Sequence, residues 1–246
     1  MKLGKQPARV DRRTVLFKDV APALPQPIDL IDWYGSRTNW LMMDNDRLGN
    51  CTCAAIGHAE QTITRNCVGV SEFDASDSQV DGLYQTACGY DPRDPSTDRG
   101  GVALDVLKTL SKQGVFGNDQ LLGYAAVDAQ DTVRVRQAVA AFGGVYVGLQ
   151  LPDSVVHGDL LLNSWELTGK IAPSPYNGHM VWTARWDAHR GPCCITWGAE
   201  KWMSPEFWSA CVDEVWVLLF KNWLAQYGEL ADVQTALENA LHGVGN

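Results

Sequence analysis

Two residue types that can share nucleophilic chemistry, a cysteine and a histidine, occur in settings that suit them. The first setting is Asn45-Asp46-Arg47-Leu48-Gly49-Asn50-Cys51-Thr52-Cys53. Asn50 is a good helix N-cap, so Cys51 would open a helix and feel the positive end of its dipole. That position favours thiolate, the nucleophilic form, over thiol. Gly49 would let a substrate backbone approach closely. The Asn45 side-chain amide could donate to a developing oxyanion. The plainer reading is a buried cysteine at the start of a core helix, and these residues alone do not go beyond it.

A thiolate mechanism needs a base, and the chain has five histidines. His58 shares a helix face with Cys51, but seven residues of helix separate them by roughly 10 Å, too far for a hydrogen bond. His242 lies in the C-terminal tail, and His157 and His189 lie in polar, turn-like stretches. His179 opens a hydrophobic strand behind Asn177-Gly178. A rigid strand end can hold an imidazole in a fixed geometry; the plainer alternative is a histidine hydrogen-bonded at a strand edge. Cys53 lies about 200° further round the helix than Cys51 and reads as a small core residue, with no disulfide between the two. Neither that pair nor Cys193-Cys194 has the C-x₂₋₄-C spacing of structural zinc. No metal and no cofactor is expected.

The elements that would position these groups follow from periodicity. In the helix from Cys51, Ile56, Ala59 and Ile63 share one face. Residues 91–101 are a Pro-, Asp- and Gly-rich loop. Helices are predicted over 102–113 and 132–142, each stopped by glycine. After residue 143 the period changes, and strands are predicted at 144–151, 179–186, 193–197 and 214–220. Helices first and strands later predict an α+β fold. A last helix is predicted from residue 221 to 242. Residues 19–34 are punctuated by Pro22, Pro25 and Pro27 and read as extended. Eight of the ten tryptophans fall at or after Trp165. Most are read as core; Trp182 and Trp186, four apart in one strand, should face the same side.

Composition narrows the function classes. The 246 residues are 46% hydrophobic and 20% charged, which suits a globular core and excludes wholesale disorder, collagen and coiled coil. No apolar run approaches the roughly 20 residues of a membrane span, and no apolar stretch follows the charged N-terminus as in a secretory signal. The expected location is therefore the cytoplasm or a particle, not a secreted space. An odd number of cysteines, seven, argues for reduced thiols. Residues 1–18 carry six basic side chains against Asp11, a charge of +5, which leaves the rest of the chain at −14 of the net −9. So acidic a body excludes a broad nucleic-acid surface. The basic arm is expected to be a solvated terminus, or more sharply a dock for an acidic neighbour.

Together these pieces resemble the papain-like cysteine peptidases. Asn45…Gly49-Asn50-Cys51-Thr52-Cys53 is similar to the family's Q-G-x-C-G-x-C-W-A segment. Pro27…Asp32-Trp33 is similar to its P…V-D-W, and Arg99-Gly100-Gly101…Gly114-Val115 to its N-G-G…G-I. The strand from Gly143 resembles its G-P-V-x-V-A-I, His179-Met180-Val181 its H-A-V, and Thr196-Trp197-Gly198 its S-W-G. The Gly49-Asn50-Cys51-Thr52 and Thr196-Trp197-Gly198 segments also resemble papain-like proteins of bacteriophages. The resemblance spans about residues 27 to 220, in order. It implies a papain-like α+β domain, with a helical half over about 27–130, a β half over about 131–220 and the cleft between them. The basic arm (1–26) and a C-terminal helix (221–246) flank it as candidate partner surfaces.

The resemblance implies roles as well. Cys51 would be the nucleophile and His179 the base, within about 5 Å of each other. Asn45 would stand in the oxyanion hole with the Cys51 amide. Gly49, Gly100, Gly101 and Trp197 would line the bound peptide. There are departures. The family's histidine-orienting asparagine is Ile195 here, so Thr196 or Asp187 must serve if anything does. The family's cysteines before the nucleophile and before Gly-Gly are Leu48 and Asp98, so that disulfide is absent. No helical propeptide precedes Pro22, so inhibition by the usual kind of pro-segment is not expected. Two functions follow: a thiol hydrolase of peptide or amide bonds, or an inactive structural protein on the same scaffold, such as a virion component.

Overall fold

The computed structural model describes residues 1–9, 11–21, 24–159, 162–167, 172–227, 230–233, 235–236 and 239. Seven helices are described: α1 (Phe17–Val20), α2 (Cys51–Asn66), α3 (Asp77–Cys88), α4 (Ala103–Gln113), α5 (Thr132–Phe142), α6 (Pro205–Cys211) and α7 (Lys221–Gln226). Eight strands accompany them: β1 (Leu30–Asp32), β2 (Leu121–Val127), β3 (Val145–Gln150), β4 (Ser164–Trp165), β5 (Gly178–Asp187), β6 (Gly191–Thr196), β7 (Ala199–Met203) and β8 (Val212–Phe220). The strands form one sheet in the order β2-β8-β3-β5-β6-β7-β4, with β1 also on β5. All pairings are antiparallel except β4 with β7. Helices α2 to α4 make one half and the sheet the other, the α+β architecture expected from the segregated elements.

Helix α2 joins the halves. The sequence pattern marks only one apolar face, yet every residue from Cys51 to Thr64 is buried. The helix can be buried all round because its polar side chains are satisfied locally. Thr62 and Thr64 hydroxyls donate to the carbonyls of His58 and Glu60, and His58 Nδ1 lies 3.0 Å from Gln61 Oε1. Glu60 is the exception: neither carboxylate oxygen has a partner among the described residues, and burial pushes its pKa well up. Burial thus disfavours its charged form.

The basic arm is neither solvated nor wholly extended. Val15, Phe17, Val20 and Ala21 are buried, and α1 packs Phe17 edge-on against Phe142. The arm's acidic neighbour is the chain's own body: Lys2 pairs with Asp98, Arg9 with Asp105 and Lys5 with Asp213. The C-terminal helix is also interrupted. Helix α7 ends at Gln226 with Tyr227 outside it, and Leu241 lies outside the described residues. Trp182 and Trp186 do not behave as a same-side pair. The β5–β6 register shifts between Thr183 and Arg185, and this bulge breaks the alternation. Trp182 bonds Thr62 of α2, whereas Trp186 packs on Trp208 of α6. Tyr34 fills the bulge: its hydroxyl accepts from the Ala184 amide and lies 3.0 Å from the Trp182 and Cys193 carbonyls.

Candidate active site

Cys51 is the first residue of α2, and Asn50 is its N-cap by position. The Asn50 side chain makes no cap bond. Its amide donates to the Met43 carbonyl (2.9 Å) and to Asp81 (3.3 Å), and its oxygen accepts from Asn45 Nδ2 (3.1 Å). This polar knot fixes the loop before the helix, where Met43 and Asp44 both take the left-handed conformation at φ 55°. Non-glycine residues there cost energy and persist only where their surroundings over-determine them.

His179 is the second residue of β5, opposite Leu149 of β3. Its Nε2 lies 2.6 Å from Thr196 Oγ1, and both side chains are buried. Of the two orienting candidates the geometry selects Thr196. Asp187 instead caps the β5–β6 turn by accepting from the His189 and Arg190 amides. The indole of Trp197 stacks on the imidazole at 4.3 Å between centroids and 18° between planes. A two-residue hairpin puts Trp197 there. Thr196 pairs with Ala199, and Trp197 and Gly198 between them have φ of 49° and 70°. Positive φ at both central residues is the primed turn that suits strand twist, and it favours Asn-Gly. A tryptophan in its first position is strained, and the stacked imidazole is what the strain accompanies.

The Cys51 sulfur lies near the backbone of Met180, the residue after His179, and of Gly4, and both favour its thiolate. Helix start and strand start therefore meet at the thiol. His179 Nδ1, the nitrogen away from Thr196, has no hydrogen-bond partner among the described residues. Burial is the main cause of both pKa shifts at the site: Cys51 is pushed up to about 12 and His179 down to about 3. In this conformation the pair rests as thiol and neutral imidazole.

The reason for that burial is the N-terminus. Residues 2–6 run through the cleft, with Lys5 in an isolated bridge to Gly101. Lys2 donates its amide to Asn45 (3.2 Å), and Gly4 and Lys5 donate theirs to the Gly178 carbonyl (3.2 and 3.0 Å). Gly101 donates to the Gly4 carbonyl at 2.7 Å and accepts from the Gln6 amide at 2.8 Å, a parallel bridge. Trp197 Nε1 donates to the Lys2 carbonyl. The segment that fills the cleft, residues 2–6, is not helical. The sulfur meets the backbone of this segment at Gly4. Attack needs a carbonyl carbon at that place.

The other expected residues divide. Gly49, Gly100 and Gly101 line the segment as they would line a peptide. A Cβ on Gly100 would fall 1.8 Å from the Gly4 carbonyl oxygen, and φ there is 77°. Asn45 is buried beside the cleft, but its Nδ2 is directed at Leu48 O (3.3 Å) and Asn50 Oδ1, which leaves it no proton for an oxyanion. His58 is buried on Gln61, and His157 lies on the Asp153 carbonyl. All seven cysteines are free. Where the resemblance puts a disulfide, Asp98 bridges instead. Its Oδ1 accepts from the Gly49 amide (3.0 Å) and the Tyr84 hydroxyl (2.7 Å), and Tyr84 in turn accepts from the Gly100 amide (2.8 Å). Burial would raise the Asp98 pKa, but Lys2, Tyr84 and Gly49 as donors outweigh it and hold it low. Sequence reasoning missed Lys5, whose charge acts on the thiol, and its partners Asp213 and Glu214. The available signal was a lysine in a glycine-bearing N-terminal run and an Asp-Glu pair opening a hydrophobic strand. Among the described residues no three His, Cys, Asp or Glu side chains converge as a metal would require.

This is the papain-like fold, with the helical half, the antiparallel sheet and a thiol at their junction. The chain is similar to the crystal structure of xylellain, a cysteine protease from Xylella fastidiosa: TM-score 0.67, 20% identity, covering 88% of this chain and 95% of that one. It is also similar to the proform of the ragweed pollen cysteine protease Amb a 11 (TM-score 0.60, 16% identity, 84% and 70% covered). A third likeness is the Carica candamarcensis cysteine protease CMS1MS2 in complex with E-64 (TM-score 0.53, 14% identity, 78% and 98% covered). No family model and no curated protein sequence matches the chain.

Proposed function

We propose that the chain is a papain-like thiol hydrolase of peptide or amide bonds, acting through Cys51 and His179. The observation that carries this reading is the meeting of the Cys51 thiol with the start of β5. There the His179 ring is fixed by Thr196 on one nitrogen and Trp197 on one face, with Nδ1 left unpaired. With the N-terminal segment displaced, water and a substrate carbonyl take the place of the Gly4 backbone beside the sulfur. Cys51 transfers its proton to Nδ1 and attacks the carbonyl carbon. Nε2–H donates to Thr196 Oγ1 and keeps Nδ1 the basic nitrogen. The imidazolium returns the proton to the leaving amine, and water, deprotonated by the same ring, hydrolyses the thioester. Helix N-termini leave their first amides without intrahelical acceptors, so the Cys51 amide is the oxyanion donor and Asn45 only shapes the loop.

One observation favours a second reading, an inactive scaffold such as a virion component: with the cleft filled, both groups rest neutral. Intact-mass spectrometry of the chain mixed with a p-nitrophenyl ester of a short acyl-peptide separates the two. A hydrolase accumulates one acyl group on Cys51 and releases it; a scaffold gains no mass at Cys51, even when Gly4→Ala opens the cleft.

A further inference from the structure

Two further thiols lie beside the first turn of α2. Cys53 is the third residue of that helix and is fully buried; Cys88 is the last residue of α3 and is half-buried. The two helices pack together. A Cβ on Gly101 would fall 2.4 Å from Cys88 Sγ and 2.7 Å from Thr52 Oγ1, so the Cys88 thiol and the Thr52 hydroxyl meet over that glycine. Thr52 Oγ1 in turn lies 3.9 Å from Cys53 Sγ. One hydroxyl thus stands between both thiols. The thiols also act on each other. The side-chain contact with Cys53 is the largest cause that holds Cys88 below the ordinary thiol pKa, against burial and with help from Thr52. Burial, and after it the same contact, pushes Cys53 well up. Neither thiol has a part in the hydrolysis described above. Neither stands at Leu48 or Asp98, where the resemblance puts a disulfide.

We propose that Cys53 and Cys88 are a redox site: a peroxide oxidises Cys88 first, and Cys53 resolves it to a disulfide that clamps the end of α3 to the start of α2. The order follows from access and charge. Thiolate is the form that attacks peroxide, and it must be reachable. Cys88 alone of the three thiols around Thr52 is partly exposed and acidified. Cys51 and Cys53 are buried and held as thiols. In the first step the Cys88 thiolate attacks one peroxide oxygen. An S–O bond forms, the O–O bond breaks, and the departing hydroxide takes a proton to leave as water. In the second step Cys53 loses its proton and attacks the Cys88 sulfur. The S–S bond forms, the S–O bond breaks, and the oxygen leaves as a second water. Two thiols lose two electrons and two protons, and hydrogen peroxide accepts them. The bond closes beside Gly101, whose backbone pairs with Gly4 and Gln6, so the clamp adjoins the wall of the cleft. The site is independent of the hydrolase reading, because an inactive scaffold would contain the same two thiols.

The test treats the full chain with hydrogen peroxide at pH 7, blocks remaining thiols with N-ethylmaleimide and maps the peptides without reduction. The intact mass should fall by two hydrogens with no oxygen retained, the Cys53 and Cys88 peptides should appear linked, and dithiothreitol should release them. Cys88 should be consumed at least tenfold faster than any cysteine outside the pair. In Cys53→Ala, Cys88 should stop at the sulfenic acid and be trapped by dimedone. In Cys88→Ala, Cys53 should stay a thiol. The linked chain should melt about 5 to 15 °C higher than the reduced one. A bond from Cys88 to Cys51 overturns the proposal, as does oxidation of Cys51 ahead of Cys88, sulfinic acid at Cys88 in the unsubstituted chain, an unreacted Cys88, or a linked chain that melts no higher. A melting curve for each variant identifies one that does not fold; the peptide map of the unsubstituted chain decides without them.

Discussion

Replacing Gly4 by alanine should unmask Cys51. An added Cβ at Gly4 would fall 1.9 Å from the Gly49 carbonyl oxygen, 2.4 Å from its carbon and 2.6 Å from its Cα. These are backbone atoms locked by the Gly49–Asp98 bond, so neither side can move cheaply. What holds the segment is modest. Its backbone hydrogen bonds contribute about 1 kcal/mol each, opposed by about 1 to 2 kcal/mol per ordered residue. The ion pairs of Lys5 with Asp213 and Glu214 add to that hold. A single methyl against backbone therefore exceeds the segment's hold and displaces it. With Cys51 pushed up to about 12, its thiolate fraction at pH 7 is about 10⁻⁵, against about 3 in 100 for an ordinary thiol near pKa 8.5. Site-resolved mass spectrometry of iodoacetamide labelling at pH 7 should show Cys51 reacting ten- to about a thousandfold faster in Gly4→Ala, with the other six cysteines unchanged. An unchanged Cys51 rate in a folded Gly4→Ala chain would refute the masking and the reasoning from Gly4.

In the opened chain, Thr196→Val should lower turnover on the order of 10²- to 10⁴-fold, as loss of an orienting group does, while Thr196→Ser recovers most of it; steady-state kinetics decide. His179 and His58 are pushed down to about 3 and about 4 by burial, below their unfolded value near 6.5. Their neutral forms stabilise the fold fully above about pH 6.5, and that stability is lost as pH falls toward 4 and 3; denaturant midpoints from pH 7 to 4 should fall, less steeply in His58→Gln. Tyr34→Phe leaves the Ala184 amide at the β5 bulge without an acceptor and should destabilise the fold by about 1 to 3 kcal/mol by urea unfolding. Asp98→Ala removes the bridge between Gly49 and the Tyr84–Gly100 pair, and should lower stability by a similar amount while speeding hydrogen exchange at residues 2–6.

The fold and half of the site were legible because they rest on local signals. Gly143 and Gly114 end helices where the pattern placed their ends, and both have the positive φ that glycine supplies. The cysteine after Gly49-Asn50 and the histidine at a strand start are chemically readable from residue type and position. Thr196 was legible as an alternative once Ile195 stood where an acceptor was wanted, but only the hairpin brings its hydroxyl to Nε2. Helix α3 and strand β2 were not read, although Ser76 and Gln79 form a capping box and β2 alternates strictly between buried and half-buried residues. Their burial comes from packing of α3 on α4 and pairing of β2 with β8. The charge of the N-terminal segment pointed to an acidic neighbour, but its path through the cleft was not legible. Lys2, Gly4 and Lys5 look solvated in isolation, and the acidic partners of the two lysines, Asp98 and Asp213, lie 96 and 208 residues away. Long-range charge complementarity leaves no periodic trace.

The most direct measurement is the pH dependence of Cys51 inactivation by iodoacetamide in the Gly4→Ala chain. A working Cys51–His179 pair predicts reactivity that persists as a plateau into acidic pH, because the imidazolium holds the thiolate, and that is lost in His179→Ala. A single titration near pH 8.5, unchanged by His179→Ala, would contradict the hydrolase account.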